Sequence, residues 1–151
     1  MNHVKGDNKY RKVLFKLEQD AHGYPPNNWE SLWAAKTDEG NYRIDNIPFY
    51  VRGISCGDIV SVEEVDGELF FKGLVEESGH SLFRLVIFDS ATIPQIRSEL
   101  EGLSCETEAS HIEGFISVDC PPDADFARLL DYLQKGESEG RWEFEEASLR
   151  H

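Results

Sequence analysis

The chain has 151 residues, 40% of them hydrophobic, with 29 acidic residues against 15 Lys and Arg and a formal net charge of −14. That length suits one domain or two small ones, and the apolar share excludes global disorder. The charge disfavours nucleic acid and anionic membranes, which Lys and Arg must bind by displacing counterions; it favours a basic protein partner, or serves solubility alone.

The N-terminal residues 1–11 read as a flexible basic segment without the apolar core of a signal peptide. A β-rich subdomain is expected over residues 12–79. "KVLFKLE" (12–18) reads as a strand, and "SLWAAKT" and "NYRIDNIP" as two more divided by the turn "DEGN". "FYVRGISCGD" (49–58) reads as a bend hinged at Gly53 and Gly57. Two further strands flank Asp66-Gly67, a dipeptide suited to positive φ at both central hairpin positions. These elements suggest a small antiparallel sheet or barrel.

Residues 80–151 change character. "SLFRLVIFD" is a near-continuous apolar run, suited to a buried central strand. Ile93, Ile96, Leu100 and Leu103 recur at helical spacing, with Asp89 or Ser90 as cap. Two strands flank the turn "HIEG" at 111–114. Phe126, Leu129, Leu130 and Leu133 mark a second helix with Asp123 at its N-cap end, and "RWEFEEASL" closes as a strand. The order β-α-β-β-α-β is that of a ferredoxin-like half, so the expected class is α+β.

No stretch approaches the roughly 20 apolar residues of a membrane span. Cys56, Cys105 and Cys120 lack metal-site spacing and suit buried, reduced thiols in a cytoplasmic protein. No cofactor or metal is expected. His80-Ser81 and Ser110-His111 are adjacent pairs at expected turns, and neither serine lies at the centre of a G-x-S-x-G pattern. Catalysis is therefore not the expected function.

The acids are uneven. Residues 1–79 hold 14 acids and 9 Lys/Arg (14 − 9, net −5), while residues 80–151 hold 15 and 6 (15 − 6, net −9). The densest piece carries Glu137, Glu139, Glu143, Glu145 and Glu146. Strand alternation would turn Trp142 and Phe144 inward and Glu143 and Glu145 outward, as a guarded edge or as a docking surface for a cationic partner. A second candidate contact is the loop of about a dozen residues between the first two strands. There Tyr24-Pro25-Pro26 favours an extended polyproline II path. Trp29, Leu32 and Trp33 are spaced for one helical turn, or Trp33 continues a strand.

The stretches "KVLFKLEQDAHGYPPNNWESLWA", "YRIDNIPFYVRGISCGDIV", "VEESGHSLFRLVIFD" and "GRWEFEEA" together resemble the uncharacterised bacterial family DUF4265, over residues 12–147. The resemblance brings no activity or catalytic residues; it implies a small free-standing bacterial protein of a kind often encoded beside toxin genes. The expected function is an immunity or antitoxin-type inhibitor that captures a basic toxin or enzyme, with Tyr24, Trp29, Glu137, Glu139, Glu143 and Glu145 as contacts. The alternative is a small-molecule or nucleotide-sensing module using His80, Arg84 and Arg97. An uncharacterised hydrolase using His80 and nearby acids is a third option.

Overall fold

The computed structural model describes residues 9–151. Most of the expected N-terminal segment 1–11 lies outside the described residues, and the first strand begins at Tyr10. The chain divides into two compact units between Ser78 and Gly79.

In the first unit, β1 (Tyr10–Lys16), β2 (Trp29–Lys36), β3 (Tyr42–Ile44), β4 (Ile59–Val65) and β5 (Glu68–Glu76) form a closed barrel in chain order. Consecutive strands pair antiparallel. Five strands alternating in direction leave the first and last pointing the same way. The closing pair, Val13↔Leu69 and Leu14↔Phe70, is accordingly parallel. Closure removes the exposed strand edges that invite aggregation. Alternation sends Val13, Phe15, Leu32, Ala34, Val60 and Leu69 into the interior. Each large apolar side chain so buried contributes about 1.5–3 kcal/mol. Register shifts in β4 at Ile59/Val60 and Ser61/Val62 mark irregularities of the kind that bend a strand into a barrel wall. Asp66 and Gly67 turn the β4–β5 hairpin with φ of 52° and 82°, as the dipeptide predicts.

Two expectations for the β1–β2 loop give way. Trp29 is the first residue of β2, opposite Lys16, so the helical turn does not form. Cross-strand pairing with β1 overrides the local helical spacing. Trp33 lies on the outer surface beneath the Lys12 ammonium, 5.2 Å from the ring centroid. The Tyr24–Pro25 peptide bond is cis, and just before it the loop folds back in a turn, the Gly23 N–H donating to the Asp20 carbonyl at 3.0 Å and the Asp20 N–H to the Tyr24 carbonyl at 2.7 Å, in place of the expected extended polyproline II path. Asp20 organises it, its carboxylate accepting from the backbone N–H of His22 and Tyr24 at 2.8 and 3.0 Å.

A second carboxylate fixes the long β3–β4 connection. Glu30, on β2, accepts from the backbone N–H groups of Phe49, Tyr50 and Val51 at 2.7, 3.0 and 2.9 Å. Hydrogen bonds to a charged acceptor contribute about 1.5–3 kcal/mol each before solvent replaces some of them. Glu30→Ala should therefore lower unfolding free energy by roughly 2–4 kcal/mol in urea titration. A loss below about 0.5 kcal/mol, the level of ordinary surface substitutions, would show that solvent replaces the carboxylate freely.

The second unit runs β6 (Ser81–Ile87), a short 3-10 turn (Ser90–Thr92), α1 (Ile93–Gly102), β7 (Glu106–Ala109), β8 (Phe115–Cys120), α2 (Phe126–Ser138) and β9 (Trp142–Ser148). Its sheet has the order β7-β8-β6-β9, antiparallel throughout. β6 is central and buried at every residue but Val86. Phe83, Leu85 and Ile87 of β6, with Ile116, Val118 and Cys120 of β8, pack with Ile96, Leu100, Leu129 and Leu133 of the helices. Asp125, rather than Asp123, caps α2: its side chain accepts from the Arg128 N–H at 3.1 Å, and its extended backbone marks the helix start. Asp89 caps the 3-10 turn that leads into α1.

Candidate functional site

In a strand, adjacent residues face opposite ways, so odd-numbered β6 residues enter the helix-covered core and Leu82, Arg84 and Val86 face the other side. Ser117 and Asp119 of β8 share that side through the Arg84↔Ser117 and Leu82↔Asp119 pairs. Arg84 is buried, 3% exposed, and its Nη1 donates to Glu145 of β9 at 3.2 Å. Asp119 is equally buried, and its two carboxylate oxygens lie 3.0 and 2.8 Å from His80 Nδ1. A carboxylate so placed fixes the imidazole ring and favours a proton on Nδ1, leaving Nε2 as the basic nitrogen of the neutral ring. The His80 side chain is 26% exposed. That arrangement can accept a proton or orient a polar ligand.

Ser81 turns away from His80, because the strand alternates. Its hydroxyl pairs instead with His151 Nδ1 at 2.6 Å and accepts from the Arg150 N–H at 2.9 Å. His151 Nε2 is directed at the Pro121 carbonyl, 2.8 Å away, and not at a carboxylate. Ser110 accepts from the Ile112 N–H at 3.0 Å, a turn-forming role. Cys56 is buried. Arg97 donates through Nε to the Thr107 hydroxyl at 2.8 Å and through Nη2 to its carbonyl at 3.3 Å, tying α1 to β7. Both candidate anion-binding arginines thus already hold protein partners.

The acids gather at the end of α2 and along β9, an edge strand. Glu137, Glu139, Glu143 and Glu146 are exposed. Glu137 also accepts from the Phe144 N–H at 3.3 Å, and Glu139 is the C-terminal cap residue of α2. Glu145 departs from the outward expectation: its side chain is 35% exposed and engaged by Arg84. Trp142 is buried and Phe144 partly so, as alternation predicts.

On the barrel, Tyr24 and Trp29 are each 46% exposed. Their rings meet Tyr50 and Phe70 edge-on at 6.2 and 5.7 Å. Sequence reasoning passed over Asp119 and His151. A lone aspartate within the apolar run "FISVDC" was a usable signal for the first, since a buried charge needs a partner. Nothing local announces the second. Among the described residues no cluster of three or more His, Cys, Asp or Glu is arranged to hold a metal, and no helix is long and apolar enough to cross a membrane.

These features define a mixed α+β protein with, among the described residues, nine strands and two helices, a closed five-stranded barrel followed by a four-stranded sheet. The chain belongs to the family described as Domain of unknown function (DUF4265), whose model matches residues 30–144. Its fold is shared with a crystal structure of a hypothetical protein from Neisseria gonorrhoeae at a TM-score of 0.77 and 24% identity, covering 100% of this chain and 99% of that one. No curated protein matches the sequence.

Proposed function

We propose that this chain is a small acidic binding protein that captures a basic protein, in the manner of an immunity or antitoxin-type inhibitor. The observation that carries the reading is the set of exposed carboxylates Glu137, Glu139, Glu143 and Glu146, at the end of α2 and on the two faces of the edge strand β9. It sits in the half of the chain with net −9. An acidic surface of this kind steers a cationic partner into encounter and raises its association rate. The second unit is read here as a ferredoxin-like module. In support stand its β-α-β-β-α-β order and an antiparallel sheet with the two helix-preceding strands, β6 and β8, at the centre.

A second reading, a ligand-sensing module, draws support from one feature. The partly exposed His80 is oriented by buried Asp119, as a polar ligand site requires. The engagement of Arg84 with Glu145 and of Arg97 with Thr107 weighs against the two arginines as its anion contacts.

Affinity capture from the native bacterium at low and high ionic strength tests the first reading. The expected outcome is one saturably retained basic protein, released as salt rises. Retention indifferent to salt, or restricted to a small molecule, would favour the second reading.

A further inference from the structure

The β7–β8 register carries an unassigned feature. Glu106 lies opposite Asp119 and Thr107 opposite Val118. One step outward, the same register sets Cys105 opposite Cys120. Opposed residues of antiparallel strands have Cα atoms about 4.5–5.5 Å apart. A disulfide spans about 4.4–6.8 Å between Cα atoms. Both side chains turn into the same helix-covered core. The influence of each thiol on the other draws the Cys120 thiol below its ordinary value and pushes Cys105 above it, with burial adding to the rise at Cys105.

We propose that Cys105 and Cys120 form a redox modification site, converted by a low-molecular-weight disulfide into an intramolecular disulfide that staples β7 to β8. Cys120 is the attacking thiol. Its thiolate attacks one sulfur of the oxidant, forming a mixed disulfide and expelling one small thiolate. The Cys105 sulfur then attacks Cys120 and expels the second, and the protons of the two protein thiols end on the two released thiols. The protein dithiol is oxidised and the small disulfide reduced, with no other reactant.

Both thiols are buried, 2% and 0% exposed, so the reaction needs an opening. The exposed residue His151 provides it. Its Nε2 lies 3.8 Å from Cys120 Sγ, and its ring stacks on Phe126 at 5.0 Å with an interplanar angle of 8°. The imidazole is held by the Ser81 hydroxyl and the Pro121 carbonyl. Release of this one side chain uncovers Cys120. Such small local openings cost far less than global unfolding.

The whole chain, treated with oxidised glutathione under native conditions, alkylated and digested, tests the proposal by mass spectrometry. The expected product joins the peptides of Cys105 and Cys120, leaves Cys56 alkylated and disappears with dithiothreitol. Cys105→Ser should stop at a glutathione adduct on Cys120. His151→Ala should raise the cross-linking rate several-fold. A persistent Cys120 adduct without the cross-link in the unmutated chain, or a cross-link formed only in denaturant, would overturn the pairing. An unchanged rate in His151→Ala would overturn the assignment of that residue as the cover.

Discussion

Trp142→Ala should cost roughly 3–5 kcal/mol of stability, the range for removing a fully buried large aromatic. The ring is 1% exposed and its Nε1 donates to the Leu133 carbonyl at 3.0 Å. Tyr132 packs against it at 5.3 Å between centroids, and the Arg141 guanidinium lies 4.8 Å from the ring centre. The same contact sets the sign of a second substitution. In an exposed helix interior, Gly→Ala gains about 0.8–1.0 kcal/mol. At Gly136 a Cβ would collide with the Cζ2, Cε2 and Cη2 atoms of Trp142. Overpacking of that kind typically costs about 1–3 kcal/mol, enough to outweigh the helix gain. Gly136→Ala should therefore destabilise, and Gly136→Ala should be milder in a Trp142→Ala background than alone. Urea unfolding of the two single variants and the double variant checks both statements. Additive effects would mean the glycine and the ring do not share one space.

Reversing Glu139, Glu143 and Glu146 to Lys should leave the fold standing while weakening capture of a basic partner at least tenfold. Exposed substitutions usually cost within about 0.5 kcal/mol each. Glu139 ends α2, where a cation suits the helix dipole better than an anion does. The change removes attraction and adds like-charge contacts, so the loss should fall mainly on the association rate. Glu145→Lys should behave differently. It would place a second cation beside buried Arg84 and so damage stability. A thermal melt beside a binding assay separates the two variants. A triple variant that unfolds while still binding would make these acids structural. One that is stable and binds normally would move the contact to Tyr24, Trp29 and their loop.

That contrast within one strand shows where the sequence was legible. Local patterns carried far: the Asp66-Gly67 hairpin, the apolar run of β6, and the inward Trp142 against outward Glu143 all follow from periodicity and turn chemistry. What depends on distant pairing was out of reach. The closing β1–β5 contact joins residues far apart in the chain. Trp29 entered β2 because β1 lies beside it, against a spacing that also fits a helix. Glu145 turned from solvent toward Arg84 because β6 happens to be its neighbour, and nothing in "RWEFEEASL" reveals that neighbour. The His80–Asp119 pair likewise joins the residue before β6 to β8, a partnership neither local stretch reveals.

The central claim, capture of a cationic protein by the acidic end of the second unit, is tested most directly by stopped-flow association between this chain and the basic protein recovered by capture, measured across ionic strength. Charges more than about 8–10 Å apart are screened near physiological salt, so steered association slows as salt rises while dissociation changes little. The expected result is an association rate for the unmutated chain that falls steeply with salt, and a rate for the Glu139/Glu143/Glu146→Lys variant that is already low and rises or stays level. Rates that are equal for the two proteins and flat across salt would contradict the account.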